Sequence, residues 1–536
     1  MQVSFSNGRY ALPEYPFCVP PELSGAAQQP HPVAIVGAGL AGLTAACALA
    51  QLGVPAVVLD DDNTVGARGI SSRGVCYARK SLEIFDRLGI YRRMLGKGVR
   101  WTVGRTFDGG TQVCEFDLAS DASASRQPPF INLQQFYVES FLIERAAELG
   151  GVDLRWRNKV VSCESDTRGA RLSIETPAGA YSLHADWVID CSGARGGLAE
   201  SLGLRRRGTC TDDRWCIADI IFDEPLPAER HTWVSADFND GRAVWRHALA
   251  DNVWRHDYQL DPANPEDIDE QAIRARLRRQ FGRDVACRII WTGTWSYRSE
   301  CLESFRHDRV LFAGDCAHTM SPFGGRGGNS GIQDADNLAW KLAWVIEGKA
   351  DASLLDTYTD ERRAAALENI RTAERTGRFL RPASPAGKVY REATLALARH
   401  HAFARPLVNT GRMSQPNTYV DSRLNVGRGG GRSIPNLPLA LPDGRDGDVA
   451  QLMKWAGGDL VVLVDAETDD LIALEARFPV RIVASARLGI FPEDHLVLLR
   501  PDLYCAGTFE RGDVAGLEHA LRTFTCTSTM TGTRNS

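Results

Sequence analysis

Apolar positions first gather into a βαβ unit. Val33 to Val36 is a short apolar run ending in glycines, Leu43 to Leu52 is rich in alanine and leucine, and Ala56 to Leu59 is apolar again, so residues 33–60 predict strand, tight turn, helix and strand. Helical spacing returns in Ser81 to Leu88, stopped by Gly89, and in Gln134 to Leu149, closed by Gly150 and Gly151. From about Arg171 the pattern is that of strands: Arg171 to Glu175, a Pro-Ala-Gly turn, Tyr181 to Leu183, then Ala185 to Cys191 as a buried strand. Residues 208–305 alternate in short aromatic-rich segments and predict a sheet domain with one helix, Asp269 to Phe281. Within it, alternation puts Trp254, His256 and Tyr258 on one face and Arg255, Asp257 and Gln259 on the other. Ser330 to Glu347 predicts a long helix, with more helix through Asn369 to Leu380. A boundary rich in glycine, arginine and proline (Gly427 to Pro442) precedes three strand-like runs, Leu460 to Val464, Val480 to Val483 and His495 to Leu499.

The chain therefore reads as α/β, and its 536 residues exceed what one core holds. It divides into an N-terminal arm (1–30), a discontinuous Rossmann-like domain (31–207 and 306–384), an inserted β-sheet domain (208–305), a helical linker (385–434), a small α/β domain (435–522) and a tail (523–536).

A net charge of −5 gives no reason to expect a nucleic-acid surface; the basic runs Arg205 to Arg207 and Arg274 to Arg279 read as solvated faces. Thirteen cysteines without a C-x-x-C pair fit reduced thiols, hence a cytoplasmic protein with neither a disulfide framework nor a metal site. No apolar run approaches the ~20 residues that span a bilayer, so no membrane partner is expected. The arm lacks the basic and apolar regions of a signal peptide.

Two segments about 275 residues apart carry the chemistry. Gly37-x-Gly39-x-x-Gly42 follows a strand and opens a helix. Gly37 permits the turn, Gly39 lets a pyrophosphate approach the backbone, and Gly42 lets the helix pack closely, with its free N–H groups facing the phosphates. Asp60 ends the next strand 18 residues later, where a carboxylate can accept bonds from an adenosine ribose. This half alone could serve NAD or FAD. In the second segment, Gly314 and Asp315 follow the strand Val310 to Ala313, and an acid there can bind the ribityl chain of a flavin. The loop Gly324 to Gly331 then exposes N–H groups at a helix start, which would stabilise negative charge on a reduced flavin ring. Together they point to FAD held along its length.

With Ser72-Arg73-Gly74, Arg79 to Phe85, Gln135-x-x-x-Glu139, Gly314 to His318 and Gly331 to Leu338, the chain resembles the single-component flavoprotein aromatic hydroxylases of the para-hydroxybenzoate hydroxylase superfamily, in the branch of phenol and 3-(3-hydroxyphenyl)propionate hydroxylases. The resemblance spans about residues 30 to 510 and ends with Leu499 to Asp502 in a unit similar to a thioredoxin fold. It implies a cofactor set of Gly37, Gly39, Leu40, Ala41, Gly42, Asp60, Asp61, Arg73, Gln135, Gly314, Asp315, Pro322, Gly325, Gly327, Gly328 and Asn329. It further implies reduction by NADH or NADPH, reaction with O2 to a C4a-hydroperoxyflavin, and hydroxylation of a phenolic or other activated ring, a small monoaromatic acid or phenol being favoured. The inserted sheet would bind the substrate, with Trp215, His247, His256, Tyr258, Tyr297 and Pro322 as pocket candidates. The C-terminal unit would serve packing or a homodimer. A flavin oxygenase or epoxidase of polycyclic substrates, and a FAD-binding protein without turnover, are the alternatives. The sequence departs from the family at Ser192 and Ala199, where aspartate and arginine are usual; Asp190 would compensate only through a shifted strand register.

Overall fold

A computed structural model describes residues 4–6, 9–24, 29–66, 72–118, 125–263, 268–408, 415–484, 488–491 and 495–525. Cys526 and the rest of the predicted tail beyond Thr525 lie outside them, as do parts of the N-terminal arm.

The first sheet is parallel at its centre. Val152–Arg155, Ala56–Leu59, His31–Val36 and Gly179–Asp190 lie side by side in that order. The long strand Gly179–Asp190 does two jobs. Its first half pairs antiparallel with Ala170–Thr176, and its second half runs parallel to His31–Val36 on one side and Val310–Phe312 on the other. Asp190 is thus opposite both Val36 and Phe312. This pairing brings the two distant glycine turns, which begin at Gly37 and Gly314, to one carboxyl edge of one sheet, where an open α/β sheet binds its ligand.

Behind that edge the helices Leu40–Gln51 and Arg326–Ile346 cross closely. A methyl group at Gly331 would lie 3.2 Å from Gly314 Cα and 3.4 Å from Ala41 Cβ. The second helix starts at Arg326, four residues before the predicted Ser330. The glycines of its first turn disfavour helix by propensity, but Gly325, at φ +63°, caps it in the left-handed conformation.

The inserted sheet has eight strands in the order His318–Thr319, Cys287–Cys301, Arg207–Phe222, Val253–Gln259, Arg242–Ala248, Arg230–Ala236, Val103–Asp108 and Thr111–Asp117. It takes in the hairpin 103–117, which the sequence pattern leaves with the nucleotide-binding residues, and its far edge strand, His318–Thr319, leads directly into the glycine-rich loop 320–325. One face packs on the helix Glu270–Phe281 through Phe222, Trp254, Tyr258, Ile273 and Leu277. The other faces the first sheet's carboxyl edge.

The C-terminal sheet runs Val480–Ala484, Leu460–Val464, His495–Leu499, Cys505–Glu510; the first pair is parallel and the others antiparallel. It docks on Trp340 and Trp344 of the long helix. A buried ion network seals the contact: Glu361 accepts from Lys341 Nζ at 2.7 Å and from both terminal nitrogens of Arg500, which also donates to Asp502. Burial alone would raise the Glu361 pKa; Arg500 and Lys341 hold it well below the carboxylate range instead. All cysteines among the described residues are free thiols. None of the described helices is long and apolar enough to cross a membrane.

Candidate flavin and substrate site

The first turn is built by exclusion. Gly37 has φ +101°, and a methyl group there would lie 2.5 Å from Cys191 O. At Gly42 a methyl would lie 1.9 Å from Gly37 O. At Gly39, by contrast, the nearest atom such a group would meet is Glu139 Oε1 at 3.9 Å, so this backbone can be approached closely. Leu40 and Ala41 follow it in the first helical turn. Asp60 accepts from Ala38 N–H at 2.6 Å and Asp62 N–H at 2.8 Å, which fixes its carboxylate beside the turn; Asp61 is exposed.

Gln135 and Glu139 come from the helix Gln135–Leu149. Gln135 accepts from Gly74 N–H at 3.1 Å and donates to Glu139 Oε1 at 2.7 Å, while Glu139 Oε2 accepts from Gly66 N–H at 2.7 Å. Arg73, at φ +42°, stands in the left-handed region that a non-glycine residue seldom occupies, and its carbonyl accepts from Arg255 Nη1. Burial lifts the Glu139 pKa to about 7, against the hydrogen bonds of Gln135 and Gly66. Glu139 is therefore largely neutral below that pH and anionic above it, facing the backbone a pyrophosphate would approach. FAD affinity is expected to fall as pH rises through about 7, and Glu139→Gln to flatten that dependence in a fluorescence titration. A wild-type affinity independent of pH would count against this.

In the second turn Gly314 has φ +72° and donates its N–H to Asp334 Oδ2 at 3.0 Å. Asp315 is solvent-accessible, yet enough protein surrounds it that lost hydration raises its pKa. Pro322 is also accessible, and its carbonyl accepts from Gly325 N–H at 2.9 Å. Gly327 and Gly328 form the first turn of the long helix. The Asn329 side chain is committed to the protein: Oδ1 accepts from Ala78 N–H and Ser81 Oγ, and Nδ2 donates to Cys76 O and Gly325 O. Asn329→Ala is expected to cost about 1–3 kcal/mol of stability, read as a lowered melting temperature.

Sequence reasoning missed the layer beneath. Asp334, fully buried, accepts from Gly314 N–H and Arg362 Nε (2.7 Å) and pairs with His318 Nε2 (2.7 Å). Arg362 also donates to Ser330 O and Tyr419 Oη. Its signal was present, since Asp334 stands in the quoted run Gly331 to Leu338, but nothing local shows which turn it holds. At the Ser192 departure the condition for compensation by Asp190 is not met. The strand register does not shift, and Asp190 Oδ1 accepts the N–H and Oγ–H of Ser192 at 2.9 and 2.5 Å.

The inserted sheet divides the pocket candidates. His256 and Tyr258 lie on the face packed against Glu270–Phe281, stacked on each other at 5.7 Å, so the structure removes both from the cleft. Pairing places His247 opposite Arg255, Trp245 opposite Asp257 and Trp215 opposite Gln259, all on the other face. There Trp215 stacks on Trp245 at 4.4 Å, and Phe323, next to Pro322, meets Trp245 at 5.0 Å and Tyr297 at 5.3 Å edge-on. This cluster also packs on Ala373, Leu380 and Leu395, so Trp215 is spent on the core. His247 remains at the flavin end, with Cys76, Asp257 and Arg255.

Two glycine turns on one sheet edge, each with an acid beside it and a helix start behind it, define a dinucleotide-binding flavoprotein. The FAD binding domain family matches residues 31–373, and the chain belongs to it. FAD is its cofactor. A 3-(3-hydroxy-phenyl)propionate/3-hydroxycinnamic acid hydroxylase of Mycolicibacterium smegmatis is 30% identical over 352 residues, 65% of this chain and 61% of that protein. The chain thus spans about three fifths of the length of such relatives. An anhydrotetracycline monooxygenase of Streptomyces rimosus is 28% identical over 92% of this chain and 98% of its own. The flavin-dependent monooxygenase PieE, solved with FAD and substrate, shares the fold at a TM-score of 0.80 and 22% identity, covering 93% of this chain and 99% of its own.

Proposed function

We propose that the chain is an NAD(P)H- and O2-dependent monooxygenase that hydroxylates an electron-rich aromatic ring carrying a hydroxyl group. One observation carries the reading: the FAD edge faces the polar end of the inserted sheet, where His247, Arg255 and Asp257 stand beside Cys76 and the flavin loop. Bound FAD would take its electrons from the nicotinamide nucleotide and supply the oxygen activation. The residues supply the rest. The turn at Gly37 to Gly42 and Asp60 bind the adenosine end, Asp315 the ribityl chain, and the helix start at Gly325 faces the ring with its positive end. The aromatic cluster and the covering helices keep water from the reacting ring.

A multi-ring substrate is favoured, because the similarity to the anhydrotetracycline monooxygenase runs through both chains, whereas that to the hydroxyphenylpropionate hydroxylases stops at about three fifths of their length. A single-ring phenol is the second reading, supported by the 30% identity within that shared region. The C-terminal sheet, by its strand order, is read as thioredoxin-like in outline and as a packing or homodimer element; the protein is placed in the cytoplasm.

Stopped-flow reduction of bound FAD by NADH and by NADPH tests this, with and without phenols of one and several rings. Reduction accelerated by a ligand supports the hydroxylase. Failure of both nucleotides to reduce the flavin under any ligand leaves a FAD-binding protein without turnover.

A further inference from the structure

The polar end of the inserted sheet holds a chain of groups running from the flavin loop to Arg255. Cys76 comes from the strand Cys76–Ala78, whose carbonyl is tied to the flavin loop by Asn329, and a methyl group at Gly325 would lie 3.3 Å from its Cβ. Its Sγ is 3.8 Å from His247 Nδ1. On the ring's other side, His247 Nε2 is 3.7 Å from Asp257 Oδ2, and Asp257 Oδ1 accepts from Arg255 Nε at 2.9 Å. Arg230 interacts electrostatically with Cys76, Asp257 and His247.

We propose that His247, oriented by Asp257 and flanked by Arg230 and Arg255, is the subsite that takes up an acidic hydroxyl group of the substrate and holds it as an oxyanion. This rests on the hydroxylase reading above. The Asp257 carboxylate, 3.7 Å from Nε2 and beyond hydrogen-bond reach, favours a proton on that nitrogen through its charge alone, which leaves the Nδ1 lone pair facing Cys76 and the flavin loop. A thiol 3.8 Å away is a weak partner, which an incoming hydroxyl displaces. The hydroxyl proton passes to Nδ1, the imidazolium is balanced by Asp257, and the oxygen keeps its electron pair beside the two guanidinium groups. Such contacts are long without ligand and tighten around it.

The electrostatics agree. Burial, then Arg230, Arg255 and His256 behind the sheet, keep His247 well below its usual pKa, so it is neutral and able to accept before the hydroxyl arrives, and only the oxyanion formed beside it makes the imidazolium tenable. The positive potential that does this also favours an oxyanion. Asp219, raised by burial to about 6, pairs with Arg255 and above that pH offsets part of this positive potential, which leaves Arg230 as its main source. Burial raises the Cys76 pKa, so the sulfur stays a thiol and does not compete as an anion.

Two chromophoric probes, p-nitrophenol and 4-nitro-1-naphthol, test the subsite on the FAD-loaded protein, because their phenolate bands report ionisation directly. Wild type is expected to bind a probe and ionise it at a lower pH than free solution does. His247→Gln is expected to weaken binding about tenfold or more and return the ionisation toward the free value. Cys76→Ser, which offers Nδ1 a stronger hydrogen bond to displace, is expected to give an intermediate loss. His256→Gln, on the packed face, is expected to leave the bound-probe ionisation unchanged. Bound FAD shows that each variant is folded. A FAD-loaded His247→Gln protein that still ionises the probe as wild type does overturns the proposal, as does a wild type that perturbs neither probe. The hydroxylase reading fails separately, by the absence of flavin reduction.

Discussion

Gly42→Ala is expected to yield a colourless protein that excess FAD does not restore. The added methyl would lie 1.9 Å from Gly37 O, a backbone atom with nowhere to go, because Gly37 itself is pressed against Cys191 O. The turn must open, and with it the array of N–H groups that receives the pyrophosphate. Overpacking at fixed backbone costs about 3 kcal/mol or more, which is about a hundredfold or more in FAD affinity. Absorbance of the purified variant and a FAD titration read the effect. A yellow variant with wild-type affinity would show that this turn does not grip the cofactor.

Asp334→Ala is expected to cost about 3–5 kcal/mol, because it leaves Arg362 buried without its counter-charge and strips Gly314 N–H of its acceptor. FAD should be lost as well, since Gly314 and Ser330 both hang on this network. The pH dependence has a definite sign. Burial alone would raise the Asp334 pKa, but His318 and Arg362 hold it at about 2. A depressed carboxylate stabilises fully above its unfolded pKa of about 3.9 and loses that contribution as pH falls toward about 2. Wild type should therefore show an acid-unfolding limb in that window, and Asp334→Asn should lack its Asp334 component. Equal denaturant midpoints for wild type and Asp334→Ala would contradict the assignment.

Much of the nucleotide half was legible because its signals are local. A glycine that must take φ +101°, or that a methyl group would drive into a carbonyl, is marked as glycine in the sequence itself. The alternation over Trp254 to Gln259 was equally readable as two faces. Which face meets the flavin was not, because that depends on the helix Glu270–Phe281 covering one side, a fact of packing. His256 and Tyr258 were therefore candidates that the packed face excludes. The hairpin 103–117 escaped for the same reason, since its partner Arg230–Ala236 lies more than a hundred residues away. Asp334 stood in a run already recognised, yet its partners Gly314, His318 and Arg362 meet only once the chain is folded.

The most direct test supplies FAD-loaded protein with NADH or NADPH, isotopically labelled O2 and the phenol panel, and scores the product by mass. One labelled oxygen atom in a new ring hydroxyl, with reductant consumed in step, is the expected result. Flavin that turns over only to hydrogen peroxide with every substrate offered, or that neither nucleotide reduces, would contradict the account.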